Sequence, residues 1–412
     1  MCCILGIIDM KQIQRSIYLD FLIRHIDKNI IKVISGFRRC GKSILLQSFK
    51  KALIKNGVAA LNIIYIDFED IKNEDLKEYH SLYKYICGQM QPSSMNYILL
   101  DEIQHVSDFE KAVDSLFIKD NADVYITGSN AYFMSGELAT VLSGRYVELR
   151  MQPLSFKEFY EASSLSQNDY LSEIYEKYVT DSSFPYTIQI SGKQTDIQEY
   201  LNGIYNYVIL NDVVGRLNVS DVKTLLSLIK YVFANIGCPL SVNKITKSIN
   251  STGRKIDNKT VERYLTGLLD SLLIYRVDRF DIRGKRFLKQ NSKYYVADAA
   301  LRYLIVGRKG QDTGHILENV IYLELIRRGY EVYVGALRNG EIDFIAKKTD
   351  GLCYFQVSES TIDESTLDRE LQPLKKLDDN YPKYLLTLDE INAEADYDGI
   401  RKMNALKWLL DE

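Results

Sequence analysis

Two short stretches of this chain carry residue types that can do chemistry together. Gly36-Phe37-Arg38-Arg39-Cys40-Gly41-Lys42-Ser43 matches G-x-x-x-x-G-K-[ST], a loop that wraps a phosphate. Its glycines let the backbone approach an anion, and the N–H groups opening the next helix, from Ile44 onward, point at it. Lys42 would reach the β- and γ-phosphates of a nucleotide, and the Ser43 hydroxyl would bind Mg²⁺. Further along, the apolar run Tyr97-Ile98-Leu99-Leu100 ends in Asp101-Glu102. Asp101 would hold Mg²⁺ through water, and Glu102 would orient or deprotonate an attacking water. Two acids at a strand end can also be a solvated turn; the phosphate loop upstream tips the balance to chemistry. Ser129 or Asn130, in Thr127-Gly128-Ser129-Asn130, sits where a polar group could touch the γ-phosphate or the water, though the tetrapeptide also reads as a turn. Cys40 is a small filler of the loop or, alternatively, a redox switch.

The surrounding elements can position these groups. Ile30 to Ser35 reads as a buried strand, and Ile44 to Ile54 as an amphipathic helix closed at Lys55-Asn56-Gly57. A helix over 13–29 precedes them. Further strands are expected at Leu61–Phe68, Tyr97–Leu100, Asp123–Thr127 and Arg145–Arg150, with helices between. Alternating strand and helix implies an α/β fold with a doubly wound, mainly parallel sheet. Ligands on such sheets bind at the carboxyl ends of the strands, where the phosphate loop, Asp101 and Ser129 would meet. From Pro153 the pattern turns helical. Helices are expected at Asp221–Phe233, Ser241–Ile249 and Asn258–Ser271, followed by a hairpin of Leu273–Asp281 and Lys285–Val296. Three helices and a hairpin are the parts of a winged helix. The last part opens with a helix, His315–Arg328, followed by strands at Glu331–Val334, Glu341–Ala346, Cys353–Ser358 and Tyr384–Leu388.

Composition narrows the class. The chain has 412 residues, 46% hydrophobic and 26% charged, which fits a folded globular protein of several domains. No apolar run has the length of a membrane span. The apolar start, Met1 to Asp9, lacks a basic leader, and either Met1 or Met10 could begin the chain. Six cysteines without a C-x-x-C pair and four scattered histidines argue against zinc and fit a reducing cytoplasm. Net charge is −3, but residues 241–290 hold twelve Lys/Arg against five Asp/Glu, so this segment is +7 and the remainder −10. Such asymmetry suggests an anionic partner, duplex DNA, for the winged-helix segment, or else docking onto the acidic remainder of the same chain.

As an ordered set, several stretches resemble bacterial and archaeal AAA-type P-loop ATPases that carry a C-terminal domain of unknown function. They are Ser35–Ser43, Leu99–Gln104, Ile126–Asn130, Leu142–Arg145, Pro153–Phe159, Ile209–Val214, Leu317–Asn319 and Glu341–Phe344. The resemblance implies an ATPase core over 1–150, a helical connection over 151–220, a winged helix over 221–305 and a nuclease-like α/β domain over 306–412. It implies ATP and Mg²⁺ as ligands, ADP as product, and an ATP-driven switch or motor. Arg145 would be a sensor or an arginine finger, or simply a surface arginine at a strand start. The last domain resembles the PD-(D/E)xK nuclease fold, with Glu318, Asp343 and Gln356 at its metal positions. Ser358 stands where the nuclease lysine belongs, and Lys347 and Lys348 are the nearest lysines in sequence. A degenerate domain is therefore expected. An ATP-gated DNA nuclease and a non-catalytic ATP-binding module are the competing readings.

Overall fold

The computed structural model describes residues 13–129, 142–163, 170–190, 194–282, 284, 286–308, 312–338, 340–349 and 351–411, with backbone alone over 286–290. Asn130, Arg283 and Lys285, and the side chains of Arg286 and Lys289, lie outside what is described.

Five strands form the first sheet: β1 (Ile31–Gly36), β2 (Ile63–Asp67), β3 (Asn96–Asp101), β4 (Ala122–Gly128) and β5 (Tyr146–Met151). Their order is β2-β3-β4-β1-β5, and every neighbouring pair is parallel. β1 and β3 are buried along their whole length, which is why apolar residues dominate their middles, Val33-Ile34 and Ile98-Leu99-Leu100. Helices α1 (Ser16–Arg24) and α2 (Lys42–Lys55) cover one face through Leu22, Leu46 and Phe49. Helices α3 (Tyr79–Gln89) and α4 (Phe109–Phe117) cover the other through Leu82, Ile86 and Leu116. The result is the α/β parallel sheet of P-loop NTPases. Because the strands run the same way, their carboxyl ends deliver Gly36, Asp101-Glu102 and Ser129 to one edge.

A helical region follows: α5 (Phe156–Ala162), α6 (Leu171–Thr180) and α7 (Gln194–Tyr207). The last runs directly into a π-helical segment, Val208–Gly215, a rare geometry that tends to occur at functional sites. Helices α8 (Val222–Ala234), α9 (Val242–Ser251) and α10 (Asn258–Asp270) come next. Each is opened by a capping side chain, from Asp221, Ser241 and Asp257 respectively.

The hairpin after them, β6 (Ile274–Asp281) and β7 (Arg286–Val296), is not a free wing. β6 pairs in parallel with β8 (Glu331–Leu337) through Arg279, Phe280 and Asp281. It thereby joins one eight-stranded sheet with β9 (Gly340–Lys348), β10 (Gly351–Ser358), β11 (Lys383–Thr387), β12 (Ala395–Tyr397) and β13 (Ile400–Asn404). The order is β12-β13-β11-β10-β9-β8-β6-β7. The boundary expected at 305/306 thus does not separate two sheets. Pairing satisfies the outer backbone groups of β6, and Phe280 and Ile282 pack with Tyr333 and Ile342. Helices α11 (Ala299–Val306), α12 (Thr313–Arg327), α13 (Glu364–Lys375) and α14 (Ala405–Leu410) complete this half. A single apolar cluster runs from Phe37 through Phe156, Val213 and Leu265 to Phe344, so the loop-bearing core, the helices and the second sheet share buried surface. Among the described residues no helix is long and apolar enough to cross a membrane.

Candidate nucleotide site

Local constraints build the loop between β1 and α2. A Cβ on Gly36 would lie 2.3 Å from the Met151 carbonyl oxygen, so only glycine lets β1 end this close to β5. Gly41 has φ +104° and stands at the N-cap of α2, offering no side chain to the first-turn N–H groups. Those donors are therefore oriented for an external anion. Arg15 braces the loop from behind: its guanidinium donates to the Cys40 carbonyl at 3.0 Å, to the Gln152 carbonyl at 2.7 Å and to Glu158 at 2.8 Å. Phe37 is buried against Phe184, with ring centroids 5.4 Å apart. Cys40 is fully buried and burial pushes its thiol pKa up, so it is a filler of the loop and a poor redox centre.

The predicted chemical groups meet at this edge. Lys42 Nζ donates to the Ser129 hydroxyl at 3.0 Å and to the Gly36 carbonyl at 3.1 Å, and lies 3.4 Å from Glu102. Burial works against its charge, but Glu102, with Asp101 behind it, raises its pKa all the same. Glu102 sits in the left-handed backbone region at φ 53°, held by its N–H bond to Thr127 Oγ1 at 2.9 Å. Its carboxylate accepts from Ser129 and from Gln104, each at 2.5 Å. Burial opposes its ionisation, yet Lys42, Ser129 and Gln104 together hold the carboxyl down at about 2. Asp101 is fully buried and accepts from Thr127 at 2.6 Å and Tyr65 at 3.0 Å, with Ser43 also hydrogen-bonded to it. Burial raises its pKa despite these donors, so a cation beside Ser43 and Asp101 would find a carboxylate in need of one. The residues present thus fit a nucleotide with Mg²⁺. A cleft of about 540 Å³ opens over them, lined by Arg38, Arg39, Ile44, Glu69, Tyr186 and Tyr200 among others.

Arg145 is not among them. Its carbonyl accepts from the Ile31 N–H, so it lies at the start of β5, beside the start of β1. The phosphate loop leaves the other end of that strand pair. The Arg145 side chain pairs with Asp114 of α4 and lies over Phe117. A sensor role in its own chain's cleft is therefore excluded by the parallel register.

Asp212 had no role assigned from sequence, although it lies within the matching stretch Ile209–Val214. The π-helical segment carries it toward Lys42, Glu102, Arg38 and Arg216, and burial raises its pKa to about 6 against the pull of the two arginines. Its Oδ2 is buried and accepts from no described residue. Arg38 itself stacks on Tyr207, 3.7 Å from the ring centroid, and reaches Glu69 at 2.7 Å. One turn beyond Asp212, Arg216 donates to Asp270 of α10 at 2.8 Å. Asp212 sits in a π-helical segment, whose pitch a 3.6-residue pattern does not reveal.

The second half holds another polar group. Glu318 on α12 and Asp343 on β9 are buried close together, and Gln356 on β10 joins them through the Asp343 N–H at 3.3 Å. Lys347 is exposed and Lys348 lies over Tyr330, away from this group. The lysine that enters is Lys293 of β7, 2.9 Å from Glu318 and 3.5 Å from Asp343. Its separation in sequence from both acids hid it.

Comparison with known proteins gives the family. Residues 28–160 match a family described as an AAA domain, and residues 172–312 match a domain of unknown function. An uncharacterised protein of Haemophilus influenzae is 40% identical over 401 residues, covering 97% of this chain and 98% of its own. An uncharacterised protein of Methanocaldococcus jannaschii is 30% identical over 409 residues, covering 93% and 84%. Among solved structures, a Walker-type ATPase of Pyrococcus abyssi is similar, with TM-score 0.48, 15% identity, and 71% and 95% of the two chains covered. The chain belongs to the family of AAA-type P-loop ATPases that carry a C-terminal domain of unknown function.

Proposed function

We propose that the chain binds ATP and hydrolyses it with Mg²⁺, and that it works as a nucleotide-controlled switch. The observation that carries this reading is the contact set of Lys42, Ser129 and Glu102 under a glycine cradle. Lys42 and the first-turn N–H groups of α2 would bind the phosphates. Ser43 and Asp101 would hold Mg²⁺, which supplies charge neutralisation of the phosphate oxygens. Glu102 would take the proton of the attacking water. In the structure its carboxylate is bound to Lys42, Ser129 and Gln104, and Lys42 contributes most to holding its pKa down. A nucleotide that drew Lys42 to its phosphates would remove the largest of these restraints on the base. The π-helical segment supports a switch, because Arg38 of the loop stacks on Tyr207 just before it and Arg216 just after it pairs with Asp270 of α10. The reading is tested by phosphate release from ATP with Mg²⁺ and with EDTA: turnover that needs Mg²⁺ and disappears in Lys42→Ala supports it. Equal turnover in EDTA or in Lys42→Ala contradicts it.

A second reading, duplex DNA as partner of the switch, rests on one observation. Lys244, Lys247, Lys255, Lys259 and Arg263 are all exposed on or beside α9 and α10. Part of the remaining basic charge is consumed within the chain, where Arg276 pairs with Asp278 and Arg279 with Glu341. We further infer that the nuclease-like half is not an active nuclease; the cytoplasm is its expected place.

A further inference from the structure

The second half carries a cluster of acids, Glu318, Glu341 and Asp343, two of which the resemblance to a nuclease fold marks as metal positions. The residues around it do not fit a metal. Lys293 reaches in from β7 with 2% of its surface exposed, and its Nζ lies 2.9 Å from Glu318 Oε1, 2.8 Å from Glu341 Oε1 and 3.5 Å from Asp343 Oδ1. An ammonium has three N–H donors, and here it meets three carboxylates. The carboxylates of Glu318 and Asp343 have further partners inside the protein. Tyr295 donates to Glu318 Oε1 at 2.6 Å, His315 Nδ1 lies 3.5 Å from Glu318 Oε2, and the Val357 N–H donates to Asp343 Oδ2 at 2.9 Å. Gln356, a neutral amide, turns its nitrogen to Glu370 at 2.8 Å. Ser358 donates to the Ser360 carbonyl, outside the cluster. Magnesium needs near-octahedral oxygen ligands at about 2.0–2.1 Å. Among the described residues no group of three or more His, Cys, Asp or Glu is arranged to hold a metal ion.

We propose that Lys293 is a built-in cation: its ammonium occupies the centre of the Glu318–Glu341–Asp343 cluster, keeps divalent metal out, and clamps the β6–β7 hairpin to the second sheet. The clamp explains why the hairpin is not a free wing. It joins α12, β7 and β9 through one buried charge, in addition to the backbone pairing of β6 with β8. Removing one member of a buried ion cluster leaves the others uncompensated and destabilises the fold.

The test uses the full chain without nucleotide and reads Mn²⁺ binding by calorimetry together with melting temperature. Wild type is expected to take no Mn²⁺ at the cluster, so its titration is unchanged by Asp343→Asn. Lys293→Met is expected to melt about 5 °C lower or more. It is also expected to gain Mn²⁺ binding that is lost again in Lys293→Met/Asp343→Asn. Lys293→Gln, which keeps hydrogen-bonding groups, serves if the methionine variant fails to fold. Wild-type Mn²⁺ binding that vanishes in Asp343→Asn overturns the proposal. So does a folded, metal-free-stable Lys293→Met or Lys293→Gln that melts with wild type, or one that still takes no Mn²⁺.

Discussion

Lys42 and Lys293 are equally buried, at 3% and 2% exposure, and both meet carboxylates: Glu102 at 3.4 Å for the first, Glu318, Glu341 and Asp343 for the second. The electrostatic setting is similar and the surroundings are not. Lys42 stands beside a glycine cradle, an α2 N-terminus without a capping side chain, and a cleft. Lys293 stands beside Tyr295, with the carboxylate oxygens around it bonded to internal donors. A buried ion pair is therefore not a site by itself. What decides is whether an incoming charge can replace one partner without leaving the other uncompensated.

The comparison can be broken from the Lys42 side first. Lys42→Ala removes the cation facing the phosphates; losing a charged hydrogen bond of about 1.5–3 kcal/mol should weaken ATP binding roughly 10- to 100-fold, as titration of a fluorescent ATP analogue would show. An unchanged affinity would place the phosphates elsewhere. Next comes Gly36→Ala, whose methyl group meets a backbone carbonyl that cannot swing away. It should destabilise the chain by about 1–3 kcal/mol in chemical denaturation and impair nucleotide binding. The control from the other region is Asp343→Asn, which should leave the rate of ATP turnover within about twofold of wild type, since the hydrogen-bond partners of Asp343 among the described residues, Lys293, Gln356 and Val357, lie in the second half.

A pH dependence sharpens the contrast. The folded-state pKa of Asp212 is raised to about 6 from an ordinary 3.8, so the folded state holds its proton more tightly than the unfolded one. Its contribution to stability is full below about 4 and is lost as pH rises through 6. Asp212→Asn should accordingly be the more stable protein above pH 6, by about 1 kcal/mol after allowance for partial solvent screening. The difference should close below pH 4. Denaturation midpoints at pH 4 and pH 7.5 check this. The smallest expected effect is at the basic face: Lys259→Ala and Arg263→Ala should each reduce the salt slope of duplex DNA binding by about 1. No binding at low salt would assign the basic face to another role.

Much of the first site was legible because its groups lie in short contiguous motifs. Gly36 to Ser43 and Asp101-Glu102 are carried on apolar strands whose parallel order brings them to one edge. Ser129 followed from the same reasoning. Arg145 did not, because a strand has two ends and spacing alone does not say which one faces the ligand. Asp212 depends on a π-helical turn, and Lys293 on a hairpin that joins a sheet formed mostly by later residues. Both are tertiary facts with no local pattern. The hairpin was read as a wing for the same reason: its alternation predicts two strands, while the partner of the outer edge lies some fifty residues on, at Val334 to Ala336.

The central claim is that Glu102 is the base of an ATPase held in check by Lys42. The most direct measurement is steady-state phosphate release by the full chain with saturating Mg²⁺–ATP, compared between wild type and Glu102→Gln. Glutamine keeps the shape and the contact with Ser129 but cannot accept a proton. The account predicts a rate lower by about 10²- to 10⁴-fold, with nucleotide still bound. Hydrolysis at the wild-type rate in Glu102→Gln would contradict it.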